Sequence, residues 1–276
     1  RQSYGLLSIL ALMLLLRGAE RFSGEVLGFR SWWVLYPVSL FPGSYLLLYV
    51  FGQLPTVLAT GMALVSSSYF SIYLRRGGVV SLLKASLASA VTLSIHHVTP
   101  LFFLAPLIVV VFLDGGLLGL KRRFSRLLMF TSLSLLLSSP VIYHLAVFVA
   151  TTPMQATIPH ATRGSIFNDL LVFVYFFVLI YGPLIAATPL VIYKLAARRR
   201  YALAFLIALF IVLGLGGSTP IPRLLLGEQL YNVLTFEKFS FWAALLTAIS
   251  LSLYLSLIHI SEPTRPRLIS YAVFCL

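Results

Sequence analysis

Continuous apolar runs, separated by short basic stretches or by breaks rich in proline and glycine, set the rhythm of this chain. Several approach the ~20 residues that a helix rising 1.5 Å per residue needs to cross a hydrocarbon core about 30 Å thick. Pro55 to Tyr73 (PTVLATGMALVSSSYFSIY) predicts a span ending at Arg75 and Arg76, and Val79 to Ile95 predicts the next, so the two form a tight hairpin. Leu101 to Leu113 follows His96-His97-Val98-Thr99-Pro100 and extends through Asp114, Gly115 and Gly116 toward Leu120. After Lys121-Arg122-Arg123 come spans over Leu127 to Val149, Leu170 to Tyr193, Tyr201 to Leu215 and Phe239 to Tyr254. Polar loops cover Ala150 to Asn168 and Gly216 to Lys238. The expectation is an all-α, polytopic integral membrane protein of about seven full spans. A transmembrane β-barrel would instead alternate over segments of about ten residues.

Two stretches near the start fit this scheme less simply. Tyr4 to Leu16 is too short to span alone, and with Arg1 rather than Met before it, it reads as a truncated first span. Leu35 to Phe51 is long enough, but Pro37, Pro42 and Gly43 interrupt it, and Leu54-Pro55 leaves almost no turn before the next span. It is therefore expected to be an external interfacial or re-entrant helix.

Charge sets the orientation. The 276 residues carry 20 Lys+Arg against 7 Asp+Glu, with 10% charged residues, 60% hydrophobic residues and a mean hydropathy of +1.00. In a soluble protein a charge of +13 would suggest nucleic acid; here it lies between apolar spans and reads as topology, with no nucleic-acid partner. Eleven basic residues, Arg75, Arg76, Lys84, Lys121, Arg122, Arg123, Arg126, Lys194 and Arg198 to Arg200, fall on one side, and Arg163, Arg223 and Lys238 on the other. Short basic loops stay cytoplasmic, which places the loops after Ile95, Val149 and Leu215 outside a plasma membrane. The interfacial assignment of Leu35 to Phe51 also puts Arg17, Glu20, Arg21, Glu25 and Arg30 outside, against the same rule.

The last 22 residues, LSLIHISEPTRPRLISYAVFCL from Leu255 to Leu276, resemble the translation of a sequencing-library adapter followed by its primer. They are read as non-native and set apart from a single transmembrane domain over residues 1–254. Without them the chain keeps 18 basic and 6 acidic residues and no cysteine, which excludes disulfides and thiolate chemistry from the domain.

No Walker loop, dinucleotide-binding glycine fingerprint or HExxH pair is present. Ionisable groups instead gather at three places on the external side. His96 and His97 can bind a metal, pair with phosphate or shuttle a proton, although neighbours on a helix diverge by about 100°; a solvated helix end is the alternative. Thr157 to Arg163 adds His160 and Arg163 in a loop. The third place joins GGSTPIPRLLLG, Gly216 to Gly227, with LTFEKFSFWA, Leu234 to Ala243. There, prolines after Gly-Gly would hold Arg223 rigidly where a guanidinium can clamp a phosphate, with Lys238 as a second cation. Glu237 is accounted for as an acidic residue complementing the dipole at the start of the last span.

LSIHHVTPLFF, GGSTPIPRLLLG and LTFEKFSFWA together resemble bacterial and archaeal membrane proteins labelled 6-pyruvoyl-tetrahydropterin-synthase-related, within the C-type superfamily of membrane glycosyltransferases. The resemblance covers roughly residues 30 to 254, and Tyr36-Pro37 to Leu48 is similar to the external helix that follows the first span in such transferases. It implies transfer of a sugar from a polyprenyl-phosphate donor to an acceptor on the external face, with a carboxylate in the first external segment as base or as ligand of a divalent cation. Glu20 and Glu25 are the acidic residues of that segment, and Arg223, Arg163, Lys238, His96, His97 and His160 are the candidate phosphate and substrate contacts. The Asp that the resemblance leads one to expect there is missing. The competing classes are a transporter or lipid flippase, which would bury polar groups at mid-span, and a non-catalytic membrane protein.

Overall fold

A computed structural model of the chain describes residues 2–29, 32–114, 119–152 and 159–260. The proposed adapter tail lies outside them from Ser261 onward, as do residues 153–158 of the second polar cluster. Every described element is helical, and no β-strand occurs among the described residues. The long first helix, α1 (Gln2–Glu25), is followed by short helices α2 (Leu35–Ser39) and α3 (Pro42–Tyr45), then α4 (Leu54–Arg76) and α5 (Val79–Ile95). Next come α6 (Ala105–Asp114), preceded by the wide turn Pro100–Leu104, and α7 (Leu120–Thr151). The second half holds α8 (Leu170–Phe173), α9 (Leu179–Tyr181), α10 (Leu184–Ala197), α11 (Tyr201–Gly214), α12 (Ile221–Val233) and α13 (Glu237–Ile260). α4 and α7 are each long and apolar enough to cross a membrane, and up to five segments qualify if each bent pair of helices counts as one.

At the centre of the packing stands α13. Phe239, Phe241, Trp242, Ala243 to Leu246, Ala248 and Ile249 are all buried, as expected of a helix that is hydrophobic on every side. α10 and α11 pack against it from one direction and the α1 to α3 region from another. Trp242 stacks on Phe103 at 5.2 Å, meets Phe239 edge-on at 5.3 Å, and donates its indole N–H to Thr60 Oγ1 at 3.0 Å. That bond matters because a buried indole left unpaired loses the water it held when unfolded.

α1 and α4 run side by side in the same direction, and glycine permits their closest approach. A Cβ on Gly18 would lie 2.6 Å from the carbonyl oxygen of Gly61, and one on Gly61 would lie 2.8 Å from the nitrogen of Leu15. Small residues at such a crossing let two backbones touch. α4 then turns through Gly77 and Gly78, at φ +75° and +96°, into the antiparallel α5, where Ser66 donates to the carbonyl of Ala85.

The segment over Leu35 to Phe51, expected as an interfacial or re-entrant helix, is a bent pair of short helical pieces. Trp32 to Val34 packs against α1 and α13, whereas Tyr4, at the opposite end of α1, donates its hydroxyl to the carbonyl of Leu48. The chain therefore runs back along α1 between these points, as a pair of helical pieces, Trp32–Ser39 and Pro42–Val50, bent by 59°. Pro42 and Gly43 break the helix, and the break is filled from elsewhere: Gly43 lies against the carbonyl of Ile180, and Pro42 against Gly182. The N-terminal run is likewise longer than Tyr4 to Leu16, because α1 continues through Arg17 to Glu25.

This path moves Glu20 and Glu25. Glu25 accepts from Arg75 Nη2 at 2.9 Å, and its carbonyl accepts from Arg75 Nη1 and the Ser71 hydroxyl, which fixes it beside the arginine-rich turn after α4. Glu20, one turn earlier on α1, pairs with Arg17. At the same end Arg200 binds Asp114 and the carbonyls of Val26 and Leu27, while Arg126 binds the carbonyl of Leu74. Cations thus close the open carbonyls that helix C-termini leave. Gly61→Leu drives a side chain into the α1 backbone, and overpacking of this kind costs about 1–3 kcal/mol. Thermal unfolding of the detergent-solubilised chain is expected to show a clearly lowered midpoint for Gly61→Leu, and little change for Gly5→Leu, where a side chain meets open space.

Candidate functional site

At the end of the molecule opposite the arginine-rich turn, backbone contacts join the second and third polar clusters of the sequence. Gly216 and Gly217, at the end of α11, lie directly against the carbonyls of Thr162 and Arg163, closer than any side chain would allow. The Gly217 N–H donates to Thr162 O at 3.0 Å, and the Ile166 N–H to Ser218 Oγ at 2.9 Å. Thr162 is fully buried and is the hub: its Oγ1 accepts the Phe236 N–H at 3.2 Å and lies 2.8 Å from His160 Nδ1. His160 thereby positions a loop, and its ring meets Phe176 edge-on at 5.6 Å.

Arg163 holds the sharp corner between α12 and α13, where the chain turns by 118°. Its Nε donates to Leu234 O at 3.1 Å and its Nη2 to Val233 O at 3.3 Å, while the Tyr231 hydroxyl donates back to its carbonyl at 2.6 Å. Arg163, a candidate phosphate contact from the sequence, thus directs its Nε and Nη2 donors at the carbonyls of the corner. Arg223 differs: it is exposed, pairs with Glu228 at 3.2 Å and lies 4.8 Å over the Tyr231 ring. It sits in the first turn of a helix, since α12 begins at Ile221 and breaks only at Gly227, at φ +72° and ψ +164°.

The inner part of this end is formed where α13 begins. Glu237 is buried, with Oε1 accepting from the Gln53 side-chain amide and Oε2 without a hydrogen-bond partner among the described residues. Gln53 is itself held by Thr56, whose hydroxyl donates to Gln53 Oε1 at 3.3 Å. His96 caps α5 and lies 2.7 Å from Thr99 Oγ1, with the exposed His97 ring 5.7 Å away. Burial foremost, then the nearby Lys238 ammonium and His97, hold the His96 imidazole down to a pKa of about 3. It is neutral at physiological pH. His96 and Lys238, from two different clusters of the sequence, thus lie close enough to interact electrostatically, whereas Glu20 and Glu25 are at the other end.

Sequence reasoning undervalued Glu237 and overlooked Gln53 and Thr162. The one available signal was a charged pair, Glu237-Lys238, opening an otherwise apolar aromatic helix, the setting in which ionisable groups usually carry a task. No group of three or more His, Cys, Asp or Glu is arranged to hold a metal ion among the described residues. Compared with known protein families, characterised proteins and solved structures, the chain matches none. The likeness to membrane glycosyltransferases rests on the sequence stretches alone.

Two outcomes follow. Arg163→Gln leaves the carbonyl of the buried Leu234 without its guanidinium partner, at about 1–3 kcal/mol, so its unfolding midpoint should fall while Arg223→Gln, an exposed change, leaves it near the parent value. For His96, the unfolded chain takes up a proton below about pH 6.5 that the folded chain refuses until about pH 3. Its contribution is full above pH 6.5 and is lost as pH falls toward 3, so His96→Asn should flatten that part of a stability–pH profile.

Proposed function

We propose that the chain is a multi-pass membrane protein, and that its sparsely charged end, facing outside, transfers a sugar from a polyprenyl-phosphate donor to an acceptor hydroxyl. The single observation behind this reading is the buried Glu237 carboxylate, one oxygen fixed by Gln53 and the other uncommitted, beside Lys238 and the neutral His96. General-base catalysis needs a positioned carboxylate of this kind. In the proposed reaction Glu237 Oε2 takes the proton of the acceptor hydroxyl. The acceptor oxygen bonds to the anomeric carbon, and the bond from that carbon to the lipid phosphate oxygen breaks with its electron pair on the phosphate. Lys238 and Arg223 are the cations suited to the departing charge, the latter by exchanging its exposed Glu228 partner for phosphate.

The membrane part of the proposal draws support from the asymmetry of charge. With the segment over Trp32 to Val50 running back along α1, the residues Arg17, Glu20, Arg21 and Glu25 join the arginine-rich end, and the conflict with the positive-inside rule disappears. The segments would then cross in alternation from α1 to α13.

Single cysteines placed at Arg122 and at Arg223 should be labelled by an impermeant thiol reagent from opposite sides of sealed vesicles. Labelling of both from one side would overturn the orientation. In detergent, with polyprenyl-phosphate sugars as donors, Glu237→Gln should lower transfer by 10²-fold or more, the scale of a lost general base, while Glu20→Gln and Glu25→Gln retain it. Full activity in Glu237→Gln would remove the carboxylate from the mechanism.

A further inference from the structure

At the arginine-rich end an open recess of about 880 Å³ lies between the Gly77-Gly78 turn and the start of α7. Lys121, Arg122, Ser125 and Arg126 line one wall, with Tyr73 and Met129 at its floor. Arg126 is anchored, with Nη1 on the Leu74 carbonyl at 2.8 Å and its guanidinium 5.8 Å from the Tyr73 ring centre. Lys121 and Arg122 are exposed.

Residues 1–254 contain six carboxylates, and each has another partner. Glu20 binds Arg17, Glu25 binds Arg75, Asp114 binds Arg200 and Glu228 binds Arg223. Asp169 caps α8 by accepting the Leu171 N–H at 2.8 Å, and Glu237 accepts from Gln53. Among the described residues every carboxylate is thus engaged elsewhere, and the three cations that line the recess suit an anion from outside. The surface leading from it is apolar: Phe124, Leu128 and Met129 on α7 are all more than half exposed. An anion carrying hydrocarbon suits both parts, whereas a free ion uses only the first.

We propose that this recess is a binding site for an anionic phospholipid, with the phosphodiester between Lys121, Arg122 and Arg126 and an acyl chain along the outer face of α7. Basic pockets between membrane helices on the cytoplasmic side take lipid headgroups in this manner. The assignment rests on the membrane reading above and is independent of the glycosyl-transfer chemistry, because Glu237 and His96 lie at the other end.

The test uses the full chain in detergent, after alkaline carbonate washing has shown that only detergent releases it from membranes; release by carbonate alone would defeat the membrane reading itself. Phosphatidylglycerol, phosphatidylcholine and inorganic phosphate are then added separately, and retained lipid is read by native mass spectrometry beside the unfolding midpoint. Phosphatidylglycerol should be retained and should raise the midpoint above that in phosphatidylcholine. Lys121→Gln combined with Arg122→Gln should weaken its retention about tenfold or more, two cations each contributing on the order of 1 kcal/mol, while Lys121→Arg keeps it. Equal retention of the two lipids, an undiminished preference in the double variant, or stabilisation by inorganic phosphate equal to that by phosphatidylglycerol would each overturn the site.

Discussion

The enclosure of α13 is the constraint on which the other elements depend. A helix apolar on every side has no face to present to water, and here its first half is buried to within a few per cent along its length. Around such a post, neighbours are fixed less by their own periodicity than by the shape they must cover. Phe41 stacks on Phe241 at 5.5 Å, Phe210 lies 5.7 Å from Trp242, and Thr60 receives the indole N–H. The bend in the segment from Trp32 to Val50, which looks like a defect in the sequence, lets that segment follow the post.

The same post carries chemistry at its first turn. Glu237 and Lys238 are held where they are because Phe236 and Phe239 on either side are buried, and the Phe236 N–H is tied to Thr162. A carboxylate fixed in this way has little freedom to turn outward for solvent. The Gln53 amide satisfies one of its oxygens. At the opposite end the arrangement is reversed, with guanidinium groups satisfying backbone carbonyls. Arg163 uses the same device at the Glu237 end, on the carbonyls of Val233 and Leu234.

Much of the fold was legible in the sequence. Hydrophobic runs located α4, α5 and α11 to within a few residues, Gly77-Gly78 marked the tight hairpin, and α7 starts seven residues before the expected Leu127, taking in Lys121 to Arg123. The path of Leu35 to Phe51 was not legible, because proline and glycine report that a helix breaks and say nothing of whether the chain continues in the same direction afterwards. That decision rests on Pro42 against Gly182 and Tyr4 against Leu48, contacts remote in sequence. The surroundings of Glu20 and Glu25, beside Arg17 and Arg75, depend on the same long-range path. That His96 would lie near Lys238 was not legible either, since 142 residues separate them in the chain. Arg163 could not be assigned, because a guanidinium that binds carbonyls and one that binds phosphate look the same in a sequence.

Helix α7 stands apart from this economy of packing. Its 32 residues, at 1.5 Å each, make a rod about 48 Å long, against about 30 Å of hydrocarbon in a typical bilayer, and most of its outer half is exposed. A rod that exceeds its solvent layer must lean, or carry one end into the headgroups, or thicken the lipid around it. Few contacts from the rest of the chain restrain that outer half, so in the membrane setting proposed above the thickness of the lipid would set its tilt.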